Sequence, residues 1–329
     1  MQLRQGLRVL RRATDEVQVG LDPRWAVRVA GLSPERAERL LRTGDRRVDD
    51  ALPAPALDAL RTAGLLRPGP ARARRVRPDL RPEALAHGLV RADGDGVEAV
   101  RRRSRATVAV LGLGRAGSAV ATTLAVAGVG TLLLDDERAP GPEDVAAGPD
   151  RAAALSGVLR RLAPRARVRV PRGPGRLLAD PPDAVVTVAA DAPDPATALT
   201  LLGADLPHLP VVTREADALV GPFVRPARAG EPPLPCLRCL DLHRAAADPA
   251  WPVVLAQLVA PRAGAGAAEP PAALAVVAGG LAAAEVLAHL DGGAPRTAGA
   301  QYEIAVPAVA PRLRRWAAHP DCGCAALVG

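Results

Sequence analysis

The stretch TVAVLGLGRAGSAVATTLAVAGVGTLLLDDE, Thr107 to Glu137, decides the fold. An apolar run leads into a glycine-rich turn, an alanine-rich helical segment, a second glycine turn and another apolar run that ends in acids. This is strand, turn, helix, turn, strand. In Gly112-Leu113-Gly114-Arg115-Ala116-Gly117 the first glycine makes the tight bend and the second lets the backbone approach a phosphate. The third lets helix and strand pack closely. Backbone N–H groups at the helix start would face the anion. Asp135 and Asp136 close the second strand, 18 and 19 residues beyond Gly117, where a carboxylate can bond ribose hydroxyls. Two readings share these residues: a nicotinamide or flavin dinucleotide with hydride chemistry, or ATP with transfer of its adenylyl group.

Downstream, ARVRV (166–170), DAVVTVAAD (183–191) and LPVVTRE (209–215) repeat the buried-strand pattern, with helical stretches between several of them. Such alternation predicts an α/β fold, a doubly wound and mostly parallel Rossmann-like sheet with helices on both faces. The expected domain runs from 106 to 329.

Composition excludes several chemistries. Of 329 residues, 43 are basic and 35 acidic, a formal charge of +8, yet the chain contains no lysine and no asparagine. Schiff-base catalysis, a lysine-bearing P-loop and a kinase-type lysine are therefore ruled out. Aromatic residues at 2% argue against a base-stacking nucleic-acid platform. The opening MQLRQGLRVLRR is polar and basic, unlike a signal peptide. The most apolar stretch, Ala272 to Leu290, carries Gly279, Gly280, Glu285 and His289 and reads as a buried core helix, with no membrane partner.

Four cysteines form two close pairs, Cys236-x-x-Cys239 and Cys322-x-Cys324. In a chain read as cytoplasmic, the spacing points to a structural Zn²⁺ site that staples distant segments. Two disulfides or four buried thiols are the alternatives. If all four bind metal, none is left as a nucleophile for a thioester. His243 and His319, near the two pairs, read as hydrogen-bonded structural histidines.

Residues 1–70 read as a separate unit. LRVLRR (7–12), EVQVG (16–20) and WAVRVA (25–30) predict a three-stranded meander, and Ser33-Pro34-Glu35 starts a helix running to Gly44. A second helix, Ala54 to Ala63, should stop at Gly64. Residues 71–105, rich in Pro and Arg, read as a linker with one short helix near Pro82 to Val90 and a solvated charge run, RRRSR (101–105).

The run around the glycine turn, with LAVAGVG (124–130) and TLLLDDE (131–137), closely resembles the opening of the ThiF/MoeB family, the bacterial branch of the ubiquitin-activating enzyme superfamily. The resemblance covers about residues 107 to 324. It implies an enzyme that adenylates the C-terminus of a small carrier protein or peptide, with ATP and Mg²⁺ as cofactors. By that resemblance Asp136 falls on the ribose-binding aspartate, and Asp144 stands where the family has a nucleotide-holding asparagine. Arg151, in Gly148-Pro149-Asp150-Arg151, replaces the phosphate-binding lysine, and Asp191 matches the aspartate that positions magnesium. Ala147 occupies the place of the family's charge-stabilising arginine. The family also joins two C-x-x-C pairs through zinc, where the second pair here is C-x-C. Family members often dimerise, which implies a homodimer.

The front unit resembles the winged-helix peptide-recognition element of enzymes that mature ribosomally made peptides. Placed before a ThiF-like domain, it implies a precursor leader peptide as partner, with a separate azoline-forming cyclodehydratase. A DNA-binding winged helix ranks below. Three readings stand: an ATP-dependent adenylyltransferase using Gly112, Gly114, Gly117, Asp136, Asp144, Arg151 and Asp191; a catalytically silent leader-binding scaffold; and an NAD(P)-dependent oxidoreductase, which leaves the cysteines and the front unit unexplained.

Overall fold

The computed structural model describes residues 1–42, 48, 52–67, 76–171, 177, 179–227, 231–260 and 269–324. The chain divides into two compact units, Met1–Arg101 and Arg102–Gly329.

In the first unit β1 (Gln2–Leu3) is followed by a meander of β2 (Val9–Arg11), β3 (Val17–Val19) and β4 (Val27–Val29), antiparallel in that order. Val17 and Val19 turn to the core while Gln18 between them does not, the alternation a half-buried strand requires. Helix α1 (Pro34–Arg42) begins where Ser33 Oγ accepts from the Arg36 N–H. The expected end at Gly44 lies outside the described residues. Helix α2 (Ala54–Thr62) closes with Gly64 N–H donating to Arg61 O and Leu65 N–H donating to Leu60 O, the paired bonds of a Schellman cap. Strand β5 (Leu66–Arg67) then pairs antiparallel with β1. Leu3, Val17, Val19, Leu40, Leu60 and Leu66 meet in one core.

Residues 71–105 hold more structure than the expected linker. Their described part contains a 3₁₀ turn, helix α3 (Arg81–Val90) and a second helix, α4 (Gly96–Arg103). The buried Arg4 holds α3 in place. Its guanidinium donates to the carbonyls of Gly88, Leu89, Arg91 and Ala92, satisfying the end of that helix. The charge run is likewise not all solvated: Arg101 and Arg102 are exposed, but Arg103 is 1% exposed.

The second unit is built on one eight-stranded sheet. Strand β6 (Thr107–Leu111) leads through α5 (Arg115–Val126) to β7 (Thr131–Asp135), and α6 (Arg151–Leu162) leads to β8 (Arg167–Arg169). Then come β9 (Ala184–Ala190), α7 (Pro195–Gly203), β10 (His208–Thr213) and β11 (Asp217–Val220). Helices α8 (Leu237–Ala247), α9 (Trp251–Val259) and α10 (Ala272–Leu290) precede β12 (Ala300–Ala305) and β13 (Ala310–Arg315). The spatial order is β13-β12-β11-β10-β9-β6-β7-β8. Strands β10, β9, β6, β7 and β8 are parallel, as the alternation predicts, and β11 to β13 add antiparallel strands.

The two faces separate by residue parity. Val108 and Val110 pack with α5, α6 and α10, whereas Ala109 packs with Leu201 of α7. Crossovers therefore leave β6 and β9 on opposite faces, which opens a crevice between their carboxyl ends. Helix α10 is long and apolar enough to cross a membrane, but it lies on α5. A Cβ at Gly279 would come within 2.6 Å of Ala119 Cβ, and Leu274, Ala278, Ala282 and Val286 are buried. Its one buried acid, Glu285, accepts from both the N–H and the hydroxyl of Thr297.

Candidate functional site

The glycine turn is held by backbone contacts that only glycine permits. Gly112 has φ +89°, its N–H donates to Asp135 O, and a Cβ there would lie 2.2 Å from Val188 O on β9. At Gly117 a Cβ would lie 1.9 Å from Gly112 O, so α5 can start this close to β6 only without a side chain. Gly114 is the N-cap of α5 and has no side chain to satisfy the helix's first N–H groups. A carboxylate from elsewhere does so: Glu269 Oε2 accepts from Arg115 N–H at 2.9 Å. That carboxylate fills the space beside Gly114, within 2.2 to 2.6 Å of where a Cβ would stand.

Asp136 is buried at the end of β7. Its Oδ2 accepts from Leu113 N–H at 2.7 Å, and Arg138 donates to both oxygens through Nε and Nη2 at 2.9 and 2.8 Å. Burial alone would push this carboxyl up; the Arg138 guanidinium and the Leu113 N–H outweigh it and hold it below the usual carboxylate range. Its neighbour Asp135 goes the other way, raised by burial and by the charges of Glu137 and Asp136.

Arg151 sits at the first position of α6, whose N-cap Asp150 accepts from Ala153 N–H. Its guanidinium is buried among acids. Nε donates to Asp144 Oδ2 at 2.8 Å, Nη2 lies 2.8 Å from Glu269 Oε1, and Asp136 and Glu143 stand 3.9 and 3.7 Å away. Asp144 Oδ2 also accepts from Gly141 N–H, while its buried Oδ1 has no hydrogen-bond partner. Such an orphaned acceptor fits a ligand hydroxyl. Ala147 is exposed.

Six of the expected residues thus meet: Gly112, Gly114, Gly117, Asp136, Asp144 and Arg151. Asp191 stands past the end of the next strand over. It lies just beyond β9, with φ +66° and its N–H donating to Thr213 O, and its oxygens are the donor type a hard cation takes. Of these residues only Gly112 borders a cleft of about 220 Å³, which is lined also by Val188, Asp194, Thr197, His208 and Leu237. His208 is buried there; its Nδ1 lies 2.8 Å from Leu206 O, and burial lowers its pKa, keeping it neutral.

Sequence reasoning missed Glu269, Arg115, Arg138 and Glu143. Arg115 Nε donates to Glu143 O and its Nη1 to Pro270 O, so it clasps the segment that carries Glu269. One signal was available: Glu269 is the sole acid between Asp248 and Glu285.

The four cysteines meet as well. Cys236 and Cys239 start α8, and their sulfurs lie 3.6 Å from Cys322 Sγ and 3.4 Å from Cys324 Sγ respectively, all four within 4.8 Å. A tetrahedron with Zn–S bonds of 2.3 Å has edges of about 3.8 Å, so the set could hold a metal ion. Burial and the neighbouring sulfurs push the Cys236 thiol up to about 11. His243 donates through Nε2 to Ala317 O at 3.0 Å and meets His319 edge to face.

No family model and no curated protein matches the chain. Solved structures do. E. coli MccB with ATP superposes at TM-score 0.68 and 16% identity over 98% of each chain. The chain has the MccB fold. MccB also appears as the microcin C7 biosynthetic enzyme in complex with N-formylated MccA, at TM-score 0.67 and 15% identity, covering 98% of this chain and 99% of MccB. PaaA matches at TM-score 0.64 and 14% identity over 94% of this chain and 98% of that one. The MccB likeness establishes the mostly parallel α/β architecture that brings the glycine turn to the crevice.

Proposed function

We propose that this chain is an ATP-dependent adenylyltransferase of ThiF/MoeB type, acting on the C-terminus of a peptide or small carrier protein in modified-peptide biosynthesis. The observation that carries this is the convergence of Asp136, Asp144 and Arg151 around the glycine turn of an MccB fold, a protein whose crystals include complexes with ATP and with MccA. In the reaction a peptide carboxylate oxygen attacks the α-phosphorus of ATP, the bond to the bridging oxygen breaks, and pyrophosphate leaves. Asp136 would bond the ribose, Asp144 would help hold the nucleoside, and Arg151 would take phosphate charge. Asp191 would hold Mg²⁺, which neutralises pyrophosphate when bound. Closed four-thiolate zinc at Cys236, Cys239, Cys322 and Cys324 would be structural, with no open position. Such thiols suit the cytoplasm.

The first unit fits a winged-helix-like recognition element. Among the described residues β2 and β4 each have one strand neighbour, so a leader peptide could add at either edge through main-chain bonds. A separate cyclodehydratase would then modify the presented precursor, and a homodimer is the expected assembly.

A second reading, a catalytically silent leader-binding scaffold, is favoured by the alanine at 147 and by the full pairing of Arg151 with acids of this chain. Losing one electrostatic donor to the reacting group costs roughly a hundredfold to a thousandfold in rate. Pyrophosphate exchange into ATP separates the two. Exchange that depends on a cognate precursor peptide supports the transferase. Absence of exchange, with tight leader binding, selects the scaffold.

A further inference from the structure

The anion cradle of the glycine turn already holds an anion. We infer that Glu269 is a built-in competitor for nucleotide phosphate, so that nucleotide enters only by displacing it; this rests on the nucleotide reading above.

Two groups that carry positive charge toward the turn are the N-terminus of α5 and the guanidinium of Arg151; the Arg138 guanidinium, engaged by Asp136, stands close enough to add to their field. Glu269 engages the first two with one carboxylate, Oε2 on Arg115 N–H at 2.9 Å and Oε1 at Arg151 Nη2 at 2.8 Å. It is 13% exposed at its side chain and lies against Gly114, where the turn leaves room for an approaching oxyanion. A backbone N–H at a helix start combined with a buried guanidinium is what a phosphate would need. A carboxylate and a phosphate cannot share these donors, because two adjacent anions repel and the donor count is fixed.

The latch is fastened from behind. Arg115 Nη1 donates to Pro270 O, and Pro271 is the N-cap of α10, which packs along α5. Releasing Glu269 therefore loosens contacts at the starts of both helices. If the competent state is a small fraction of the molecules, apparent nucleotide affinity falls by that fraction.

The test is calorimetric titration of the full chain, its E269Q variant and its E269A variant with ATP in the presence of Mg²⁺, and separately with adenosine. Glu269→Gln keeps shape and removes charge, so it guards against a folding defect, which thermal melts of all three proteins check. Competition predicts at least about tenfold tighter ATP binding by both variants, with adenosine affinity unchanged within twofold because adenosine has no phosphate to be excluded. Equal or weaker ATP binding by the variants overturns the competitor and leaves the nucleotide site standing. Tightening of adenosine alongside ATP also overturns it, since the effect would then be general loosening. No ATP binding by any of the three at millimolar concentration removes both the competitor and the nucleotide reading.

Discussion

Arg103 grips both carboxylate oxygens of Asp291, Nε to Oδ1 at 2.9 Å and Nη2 to Oδ2 at 2.7 Å, with side chains 1% and 9% exposed. Asp291 is the C-cap of α10, and Arg103 Nη1 also donates to Ala127 O at the end of α5. One guanidinium thus ties two helix ends. Removing one partner of a buried pair strands the other charge away from water, which typically costs about 3–5 kcal/mol. Asp291→Ala should lose that much in urea unfolding, and replacing both residues by leucine and methionine should lose clearly less. A loss under about 1 kcal/mol for the single variant would show that the pair is dispensable.

Arg151 is the more consequential cation, because Asp144 and Glu269 lean on it together. Arg151→Ala should destabilise by about 3 kcal/mol or more, by the same stranding of buried charge. Arg151→Lys keeps a charge but not the planar fork that reaches two acids at once, so it should fall between. Equal stability for the lysine variant and the parent would mean that only one of the two contacts matters.

Asp135 and Asp136 should shape the acid limb of stability in opposite senses. Asp136 is held below its unfolded value, so its contribution is present above the ordinary carboxylate range and is lost as pH falls through the lowered native value. Asp135 is raised, so its contribution is present below the ordinary range and is lost as pH rises through the raised value. Asp136→Asn should therefore lower stability at pH 7 and flatten its decline between about pH 5 and 2, whereas Asp135→Asn should raise stability at pH 7. Denaturation series across this pH span check both signs.

Metal analysis of protein purified without chelator should return one zinc per chain. Chelation, or Cys322→Ser, should lower the melting temperature markedly, because metal binding free energy at such sites is folding free energy. Well under one equivalent would remove the four-thiolate centre. Cysteine accessibility to a thiol reagent should rise in parallel with metal loss.

What could be read in the chain was what is local to it. The φ of Gly112, the cap at Ser33 and the spacing of Cys236 and Cys239 each follow from a few neighbouring residues, and each marks its element in the letters themselves. The parallel strands β6, β7, β9 and β10 were legible for the same reason: a run buried on both faces is apolar throughout, whereas β8, expected to follow the buried pattern, is an edge strand with Arg167 and Arg169 exposed. Strands β11 to β13 were not read from the sequence, their apolar runs being short or mixed with arginine, as in Ala310–Arg315. The helix α4 was hidden in an arginine run whose inward residue, Arg103, looks like its solvated neighbours.

Sequence alone determined that this chain builds a glycine turn between a strand and a helix, and that four thiols come in pairs; local sterics and donor chemistry suffice for both. Only the tertiary structure decided which partners the buried charged groups meet. Arg4 with the end of α3, Arg103 with Asp291, and Glu269 with Arg151 are partners far apart along the chain, and no periodicity announces them. Burial sets their strength, because a charge withdrawn from water must find its opposite wherever the fold brings one.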